Sequence, residues 1–258
     1  MAEDNATVLY HVDGGVARIT LNRPEKRNAL NEELIAALKD ALRRAHDEDD
    51  VHAVILSGAG ADFCSGADLA ALQRISSASV EENLEDARSL MELFVLMREL
   101  RVPVIAAVRG RALAGGCGLA LACDMVLAAR SARFGFPEVR IGFVPAMVMA
   151  ILRRSIGEKK AFELIALGEE MTAQEAERLG LINRVFEDGA FESQVEIFGR
   201  RFQKLGKSAV SLSKILLYQM GGLSFSAALE SGIDINVIAR MTDDCRLGIE
   251  GFLKGAKD

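Results

Sequence analysis

Histidine is scarce in this chain, and its cysteines lack the spacing of a metal site. The three histidines, His11, His46 and His52, all lie in the first fifth of the 258 residues, and the four cysteines form no C-x-x-C pair. Structural zinc sites are built from four Cys or His ligands at short spacings. The sequence therefore predicts no metal site, and it predicts free thiols of the kind found in a reducing cytosol.

The chain also lacks an excess of positive charge and a long apolar run. Lys and Arg number 31 against 37 Asp and Glu, a net charge of −6, which weighs against nucleic-acid binding. No uncharged apolar segment approaches the about 20 residues that span a membrane. The N-terminal stretch MAEDNATVLY is acidic, unlike a secretory signal. We expect a cytoplasmic protein without nucleic-acid or membrane partners.

Patterns typical of strands and helices alternate along the chain. VLYHV and VARITLN, around the turn DGG, predict a β-hairpin, and Asn31 is a candidate N-cap for a helix with apolar residues on one face. VHAVILSG, VPVIAAVRG and MVLAAR predict further strands with helices between them. This order predicts the α/β class, with a mostly parallel sheet covered by helices.

Helical patterns dominate from about Pro145 onward. Thr172 and Glu175 form a predicted capping box, Gly180 marks the end of that helix, and three more helical segments follow. We therefore predict a strand-rich core with the functional site over residues 1–190, and a helical C-terminal region over residues 191–258. No low-complexity linker separates the two regions.

Glycines cluster where a strand gives way to a helix. The stretch GRALAGGCGLALACD holds Gly115, Gly116 and Gly118, although glycine inside a helix costs about 1 kcal/mol relative to alanine. A second glycine loop, LSGAGADFCSGADL, precedes another predicted helix. Free N–H groups at helix N-termini favour negative charge, so two such termini facing each other would form a two-donor oxyanion hole.

Glycine-rich loops of this kind also occur for two different reasons. Tight packing of a helix against the sheet would account for either loop taken alone. A phosphate cradle is the second alternative, but the chain contains neither G-x-G-x-x-G nor G-x-x-x-x-G-K-[ST]. Tight packing stays an open alternative for a single loop, and the pair of loops favours an oxyanion hole.

Five segments, in order, resemble those of the enoyl-CoA hydratase/isomerase (crotonase) superfamily. They are NRPEKRNALN, FCSGADL, VPVIAAVRGRALAGGCGLALACD, FGFPEVRIGFVP and EAERLGLINRV, and they extend over nearly the whole chain. The resemblance implies a crotonase-like spiral of repeated ββα units, with C-terminal helices that join subunits into a homotrimer or a dimer of trimers. It also implies an acyl-CoA substrate, so coenzyme A arrives with the substrate and no separate cofactor is expected.

The resemblance assigns roles to individual residues. It implies that the peptide N–H groups of Ala67 and Gly115 bind the thioester oxygen, which gains negative charge when the neighbouring carbon loses a proton. It implies that the coenzyme A path is lined by Lys26, Arg27, Ala29, Leu30, Ser65 and Asp68. For the two basic residues, a solvated surface position is the alternative.

A lysine near the C-terminus often contacts coenzyme A in this superfamily. The tail GFLKGAKD offers Lys254 and Lys257, at a spacing that departs from the common pattern. The choice between them stays open.

One departure from the family pattern bears on the chemistry. Hydratases that this chain resembles usually carry two glutamates, one three residues after the oxyanion glycine and one twenty residues further on. The second is present as Glu138, and the first position is Gly118. A surface carboxylate is the alternative for Glu138, but the surrounding motif favours a catalytic role, and its apolar neighbours suggest a raised pKa.

The missing glutamate favours double-bond isomerisation over hydration. A positioned acid or base contributes about 10²–10⁴ in rate, so hydration should suffer without it, whereas one base suffices to move a proton along an enoyl chain. Two alternatives remain. A carboxylate from the stretch Ser76 to Glu85 could complete a hydratase, or the protein could bind acyl-CoA without catalysis, against which Glu138 argues.

Overall fold

The computed structural model describes residues 6–255, apart from the side chain of Leu69. The strands of this part are β1 (Val8–Asp13), β2 (Val16–Leu21), β3 (Ala53–Gly58), β4 (Val104–Val108), β5 (Arg111–Leu113), β6 (Met125–Ala129), β7 (Arg133–Gly135), β8 (Glu170–Thr172) and β9 (Arg184–Phe186). The α-helices are α1 (Glu32–Asp47), α2 (Leu69–Ile75), α3 (Val80–Glu99), α4 (Gly115–Ala122), α5 (Ala146–Ser155), α6 (Glu158–Leu167), α7 (Ala173–Arg178), α8 (Phe191–Arg200), α9 (Lys207–Gln219), α10 (Phe225–Arg240) and α11 (Asp243–Gly255). Short 3-10 helices cover Pro24–Lys26, Pro137–Ile141, Arg201–Lys204 and Met220–Gly222.

Two sheets organise the fold. The larger has strand order β1-β2-β3-β4-β6-β9, with β1 antiparallel to β2 and the other neighbours parallel. The smaller has order β5-β7-β8, and a bridge between Cys64 and Ala112 adds the segment after β3 to it. Successive repeats thus place a strand in the large sheet and a short extended segment in the small one before their helix. The predicted α/β class with ββα repeats is confirmed.

The small sheet is a feature that the sequence patterns did not predict. Its strands β5, β7 and β8 have three residues each. Such segments are too short for an alternation of apolar and polar residues to stand out. The large sheet, in contrast, consists mainly of five- and six-residue strands and follows the predicted strand segments.

Local capping signals set the helix starts as predicted. Asn31 accepts a hydrogen bond from the N–H of Leu34 at 2.9 Å as the N-cap of α1. The predicted capping box at Thr172 forms, and a second capping box begins α3 at Ser79. The apolar face of α1 is buried against the sheet, where each large aliphatic side chain contributes about 1.5–3 kcal/mol.

The C-terminal region differs in detail from the sequence prediction. Four helices, α8 to α11, follow β9 in the described residues, where three segments were predicted. Only Met241 and Thr242 separate α10 from α11, and neither is a glycine or proline that would mark the break. Buried Lys214 attaches α9 to the core by donating to the Asp124 carboxylate at 2.7 Å and to two backbone carbonyls. The division of the chain at residue 190 stays a prediction.

Three of the four cysteines are buried in the core. Cys64, Cys117 and Cys123 are free thiols, and burial raises the pKa of the Cys64 thiol to about 12, so it is protonated at neutral pH. Within residues 6–255 no group of three His, Cys, Asp or Glu side chains is placed to hold a metal ion. None of the helices in that range combines the length and apolarity needed to cross a membrane.

Candidate active site

A cleft of about 1040 Å³ lies where the loops of successive repeats meet. It is lined by residues of the segments 25–35, 65–75, 83–90, 114–115 and 137–148. These segments follow strands β2, β3, β5 and β7, so the fold brings together parts of the chain that are up to about 120 residues apart. The predicted site residues that line the cleft are Lys26, Arg27, Ala29, Leu30, Ser65, Ala67, Asp68, Gly115 and Glu138.

Two residues that line this cleft, Ala67 and Gly115, have backbone N–H groups without an acceptor in the described part of the chain. Leu30 pairs with Ala67 in a parallel bridge, donating to the Gly66 carbonyl at 2.7 Å and accepting from the N–H of Asp68 at 2.9 Å. In that pattern the N–H of Ala67 points to the opposite side. Gly115 is the first residue of α4, where N–H groups have no partner within the helix.

The two N–H groups belong to loops that touch. Gly66 has φ +98°, and a Cβ built on it would lie 2.7 Å from the Cβ of Ala114 and 3.6 Å from the N of Gly115. Both the left-handed conformation and the close contact require glycine at this position. The structure thus brings Ala67 and Gly115 together in the lining of one cleft, in an arrangement suited to two-donor stabilisation of an oxyanion.

Ala114 precedes α4 and lines the cleft beside Gly115. The sequence patterns did not identify it as a residue of the site. Its φ of +51° and ψ of −130° are unfavourable for alanine, a strain of about 1–3 kcal/mol. The surrounding structure holds it there, because its N–H donates to the Gly135 carbonyl at 2.9 Å. No sequence signal marks the strain, since alanine carries none of the usual preference for positive φ.

Glu138 supplies a buried carboxylate to the site. It lies in the 3-10 helix Pro137–Ile141 after β7, its residue surface is 8% exposed, and it lines the cleft. Its Oε2 atom has no hydrogen-bond partner among the described residues. Desolvation by burial raises the pKa of Glu138, the direction that its apolar neighbours suggested.

Two apolar side chains fill the space that a side chain at position 118 would need. A Cβ built on Gly118 would lie 2.5 Å from Cγ2 of Val148 on α5 and 3.6 Å from Cζ of Phe94 on α3. Val148 is itself 4% exposed and lines the cleft. On this side the cleft therefore has a hydrocarbon wall next to α4.

The segment expected to lie along coenzyme A is locked in place by Asn28, which the sequence patterns did not single out. Asn28 is fully buried; its Oδ1 accepts from the N–H of Arg23 at 2.9 Å, and its Nδ2 donates to the carbonyls of Ala59 and Asp62 at 2.9 and 2.8 Å. Arg27 and Asn28 both have positive φ, which turns the chain sharply there. Asparagine tolerates this conformation better than most residues, the one signal that could have identified it.

Asp68 is engaged within the protein. Its Oδ1 accepts from the N–H of Ala70 at 2.9 Å as the N-cap of α2, and its Oδ2 pairs with Arg23 at 2.7 Å. The Arg23 guanidinium, together with the N-cap hydrogen bond, holds the pKa of Asp68 below its usual range. Asp68 therefore positions the loop that carries Ala67, while Lys26 and Arg27 extend exposed at the cleft mouth.

The remaining candidates within the described residues do not line the cleft. Between Ser76 and Glu85 only Asn83 lines the cleft, so no carboxylate of that stretch reaches it; the next residue to do so is Asp86. Asp86 precedes Phe94 by eight residues on α3, about 12 Å along the helix axis. Lys254 is exposed on α11 outside the cleft, and Lys257 lies outside the described residues.

Comparison with known proteins identifies the family. The family model described as Enoyl-CoA hydratase/isomerase matches residues 11–256. The chain belongs to this family. A relative from Thermus thermophilus, named "Putative enoyl-CoA hydratase", is 39% identical over 93% of the chain and 95% of its own length. The crotonyl-CoA hydratase of Syntrophomonas wolfei is 33% identical over 100% of the chain and 98% of its own length.

Solved structures of enoyl-CoA hydratase/isomerase family proteins support the fold. A crystal structure of an enoyl-CoA hydratase from Mycobacterium smegmatis matches with a TM-score of 0.92 at 31% identity, over 96% of each chain. A human enoyl-CoA hydratase domain-containing protein 3 matches with a TM-score of 0.91 at 27% identity, over 96% of the chain and 98% of its own. The crotonase-like fold that the sequence segments implied is therefore confirmed.

Proposed function

We propose that this protein isomerises an enoyl-CoA thioester, moving the double bond from carbon 3 to carbon 2 with Glu138 as the single acid/base. The observation that supports this reaction is one buried carboxylate, with an unpartnered oxygen, in the same cleft as the free N–H groups of Ala67 and Gly115. The family membership supports an acyl-CoA substrate.

In the proposed reaction the two N–H groups hold the thioester oxygen. Glu138, as carboxylate, removes a proton from C2 of the 3-enoyl chain, and the electron pair delocalises onto the thioester oxygen as a dienolate. The same proton then returns from Glu138 to C4, which places the double bond between C2 and C3. The backbone donors stabilise the dienolate, and removal of one such donor typically costs about 2.7–4 kcal/mol in the transition state.

Lys26 and Arg27 are the proposed partners of the coenzyme A phosphates. Both are exposed at the mouth of the cleft, and their segment is fixed by Asn28. Ala29, Leu30 and Ser65 form the wall between that mouth and Ala67. Cationic side chains at an open mouth can pair with phosphate while the acyl chain enters the apolar interior.

Hydration is the second candidate reaction, and the names of the relatives favour it. It requires a group that activates water in addition to Glu138. Asp86 is the cleft-lining carboxylate on α3 that could contribute, at about two helical turns from Phe94. If hydration is observed, Asp86→Asn should abolish it.

The proposed assembly is a homotrimer or a dimer of trimers, in the cytoplasm. The C-terminal helices α10 and α11 carry exposed apolar side chains, among them Phe225 at 82% and Phe252 at 76% exposure. Contiguous exposed apolar surface of this kind is typical of protein interfaces. The buried free thiols are consistent with a reducing compartment.

The direct test of Glu138 is Glu138→Gln, which keeps the size of the side chain and removes its basicity. We expect the variant to bind a medium-chain acyl-CoA as the wild type does and to lose at least about 10²-fold in turnover of 3-enoyl-CoA. The control is Glu99→Gln, an exposed glutamate outside the cleft. Wild-type turnover in Glu138→Gln would contradict the assignment, and a wild type that binds acyl-CoA without turnover would instead indicate a non-catalytic binding protein.

A further inference from the structure

The contact between Gly118 and Val148 bears on which reaction this cleft supports. Gly118 is one helical turn after Gly115 on α4, a rise of about 4.5 Å, so the two lie on the same face of the helix. Side chains on a helix lean toward its N-terminus. A side chain at position 118 would therefore project toward the N–H of Gly115 and the reacting carbons.

Val148 already occupies the start of that path. Its Cγ2 is 2.5 Å from the built Cβ of Gly118, a separation that real side chains do not show, whereas its own Cβ is at 3.5 Å, an ordinary contact. The obstruction is thus a single methyl group of Val148. Val148 is held by its place in the first turn of α5 and by its burial, so it cannot simply swing away.

We propose that Val148 is a specificity-determining residue that restricts the site to proton transfer, because its side chain takes the place from which a carboxylate on α4 would hold an attacking water. Positions 118 and 148 are then coupled. Glycine at 118 with valine at 148 leaves no place for a carboxylate that holds water, and a carboxylate at 118 requires a residue smaller than valine at 148. This inference rests on the proposed function, since it explains why Glu138 acts alone.

The pair predicts how hydration could be installed. A glutamate at position 118 would accept a proton from water as the water oxygen bonds to C3 of a 2-enoyl thioester, and Glu138 would deliver a proton to C2. The sum is one water added across the double bond, with the carboxylate at 118 protonated and Glu138 deprotonated until they exchange a proton with solvent. Val148, which lines the cleft, and Phe94, which contacts the same position, are hydrocarbon side chains and offer no group for the first step.

The first test concerns the packing of residues 118 and 148, and it measures thermal unfolding instead of activity. Gly118→Ala alone forces its Cβ onto the Val148 methyl and should lower the thermal midpoint of unfolding. Val148→Ala removes that methyl, so Gly118→Ala in the Val148→Ala background should be tolerated, with a midpoint higher than the sum of the single changes predicts. Additive changes would show that the two positions do not contact each other, which would overturn the inference.

Reaction selectivity is tested next, with Gly118→Glu/Val148→Ala and the matched control Gly118→Gln/Val148→Ala. We expect the first to form 3-hydroxyacyl-CoA from trans-2-enoyl-CoA at least about 100-fold faster than the wild type, and the second to show no such gain. Conversion of 3-enoyl-CoA by the same two variants, measured in parallel, shows whether Glu138 and the oxyanion hole still function. Equal gains in both variants, or a folded and isomerising Glu variant without gain, would overturn the role of Val148.

Failure of the proposed function itself is distinguishable. In that case the wild type would not convert 3-enoyl-CoA at all, whatever the double variants do. If the wild type hydrates 2-enoyl-CoA efficiently, the methyl of Val148 does not prevent hydration and the inference is wrong.

Discussion

Glu138 holds its carboxylate where ionisation is unfavourable for the folded chain. Burial with one unpartnered oxygen raises its pKa, whereas in the unfolded chain the group returns to about 4.3. The folded state then binds the proton more tightly than the unfolded state. Stability is therefore lost as pH rises from the unfolded pKa to the folded pKa and stays lower above it. A base that must accept a proton from carbon gains strength from the same desolvation.

The raised pKa of Glu138 in the folded state predicts how the stability of a variant at this position depends on pH. Glu138→Gln cannot ionise, so its free energy of unfolding relative to wild type should increase as pH rises above about 4.3 and level off above the folded pKa. Urea unfolding at several pH values measures it, with Glu99→Gln as the control for loss of an exposed carboxylate. A difference between Glu138→Gln and wild type that does not vary with pH would mean that burial does not perturb Glu138.

At the scale of elements, the buried side chain of Asn28 adds hydrogen bonds between the segment after β2 and the loop after β3, in addition to the Leu30–Ala67 bridge and the Arg23–Asp68 ion pair. Asn28 bonds to the backbone on both sides and is fully buried. A buried group that loses its hydrogen-bond partner costs about 1–3 kcal/mol. The geometry of the proposed coenzyme A path thus depends on Asn28, although its side chain does not line the cleft.

Loss of Asn28 should weaken stability and acyl-CoA binding together. We expect Asn28→Gly, which tolerates the positive φ, to lower the free energy of unfolding by about 1–3 kcal/mol and to raise KM more than it lowers kcat, since the segment with Lys26 and Arg27 loses its anchor. Asn22→Ala, which removes an exposed hydrogen bond, is the matched control. Unchanged stability and KM in Asn28→Gly would refute the anchoring role.

Sequence patterns predicted the elements better than the contacts between them. The hairpin, α1 with its Asn31 cap and the parallel strands were predictable because their signals are local and several residues long. The three-residue strands of the small sheet were not, for lack of length. The strained Ala114 and the contact of Val148 with Gly118 depend on residues distant in the chain, which no local pattern records.

At the scale of the whole molecule, the site residues Ala67, Gly115 and Glu138 were placed by the resemblance, and the structure brings them to one cleft. Their catalytic roles stay predictions. The choice between Lys254 and Lys257 stays open, because Lys254 is exposed on α11 without lining the cleft and Lys257 lies outside the described residues.

The proposed assembly through α10 and α11 predicts the mass of the protein in solution. Sedimentation of the wild type should give about 84 kDa, three times 27.9 kDa, or twice that value for a dimer of trimers. Phe225→Asp/Phe252→Asp should lower the mass because it places charges on the exposed apolar helices. Val80→Asp, at an equally exposed position on α3, is the control and should leave the mass unchanged. A monomeric wild type would contradict the proposed assembly.

Product analysis of the purified protein, given 3-enoyl-CoA and trans-2-enoyl-CoA of medium chain in separate reactions, distinguishes isomerisation from hydration. A single buried glutamate beside two backbone donors predicts that the 3-enoyl substrate is converted and that the reaction stops at 2-enoyl-CoA. The 2-enoyl substrate should yield no appreciable 3-hydroxyacyl-CoA. Formation of 3-hydroxyacyl-CoA from the 2-enoyl substrate at a rate equal to or above that of isomerisation would contradict the account.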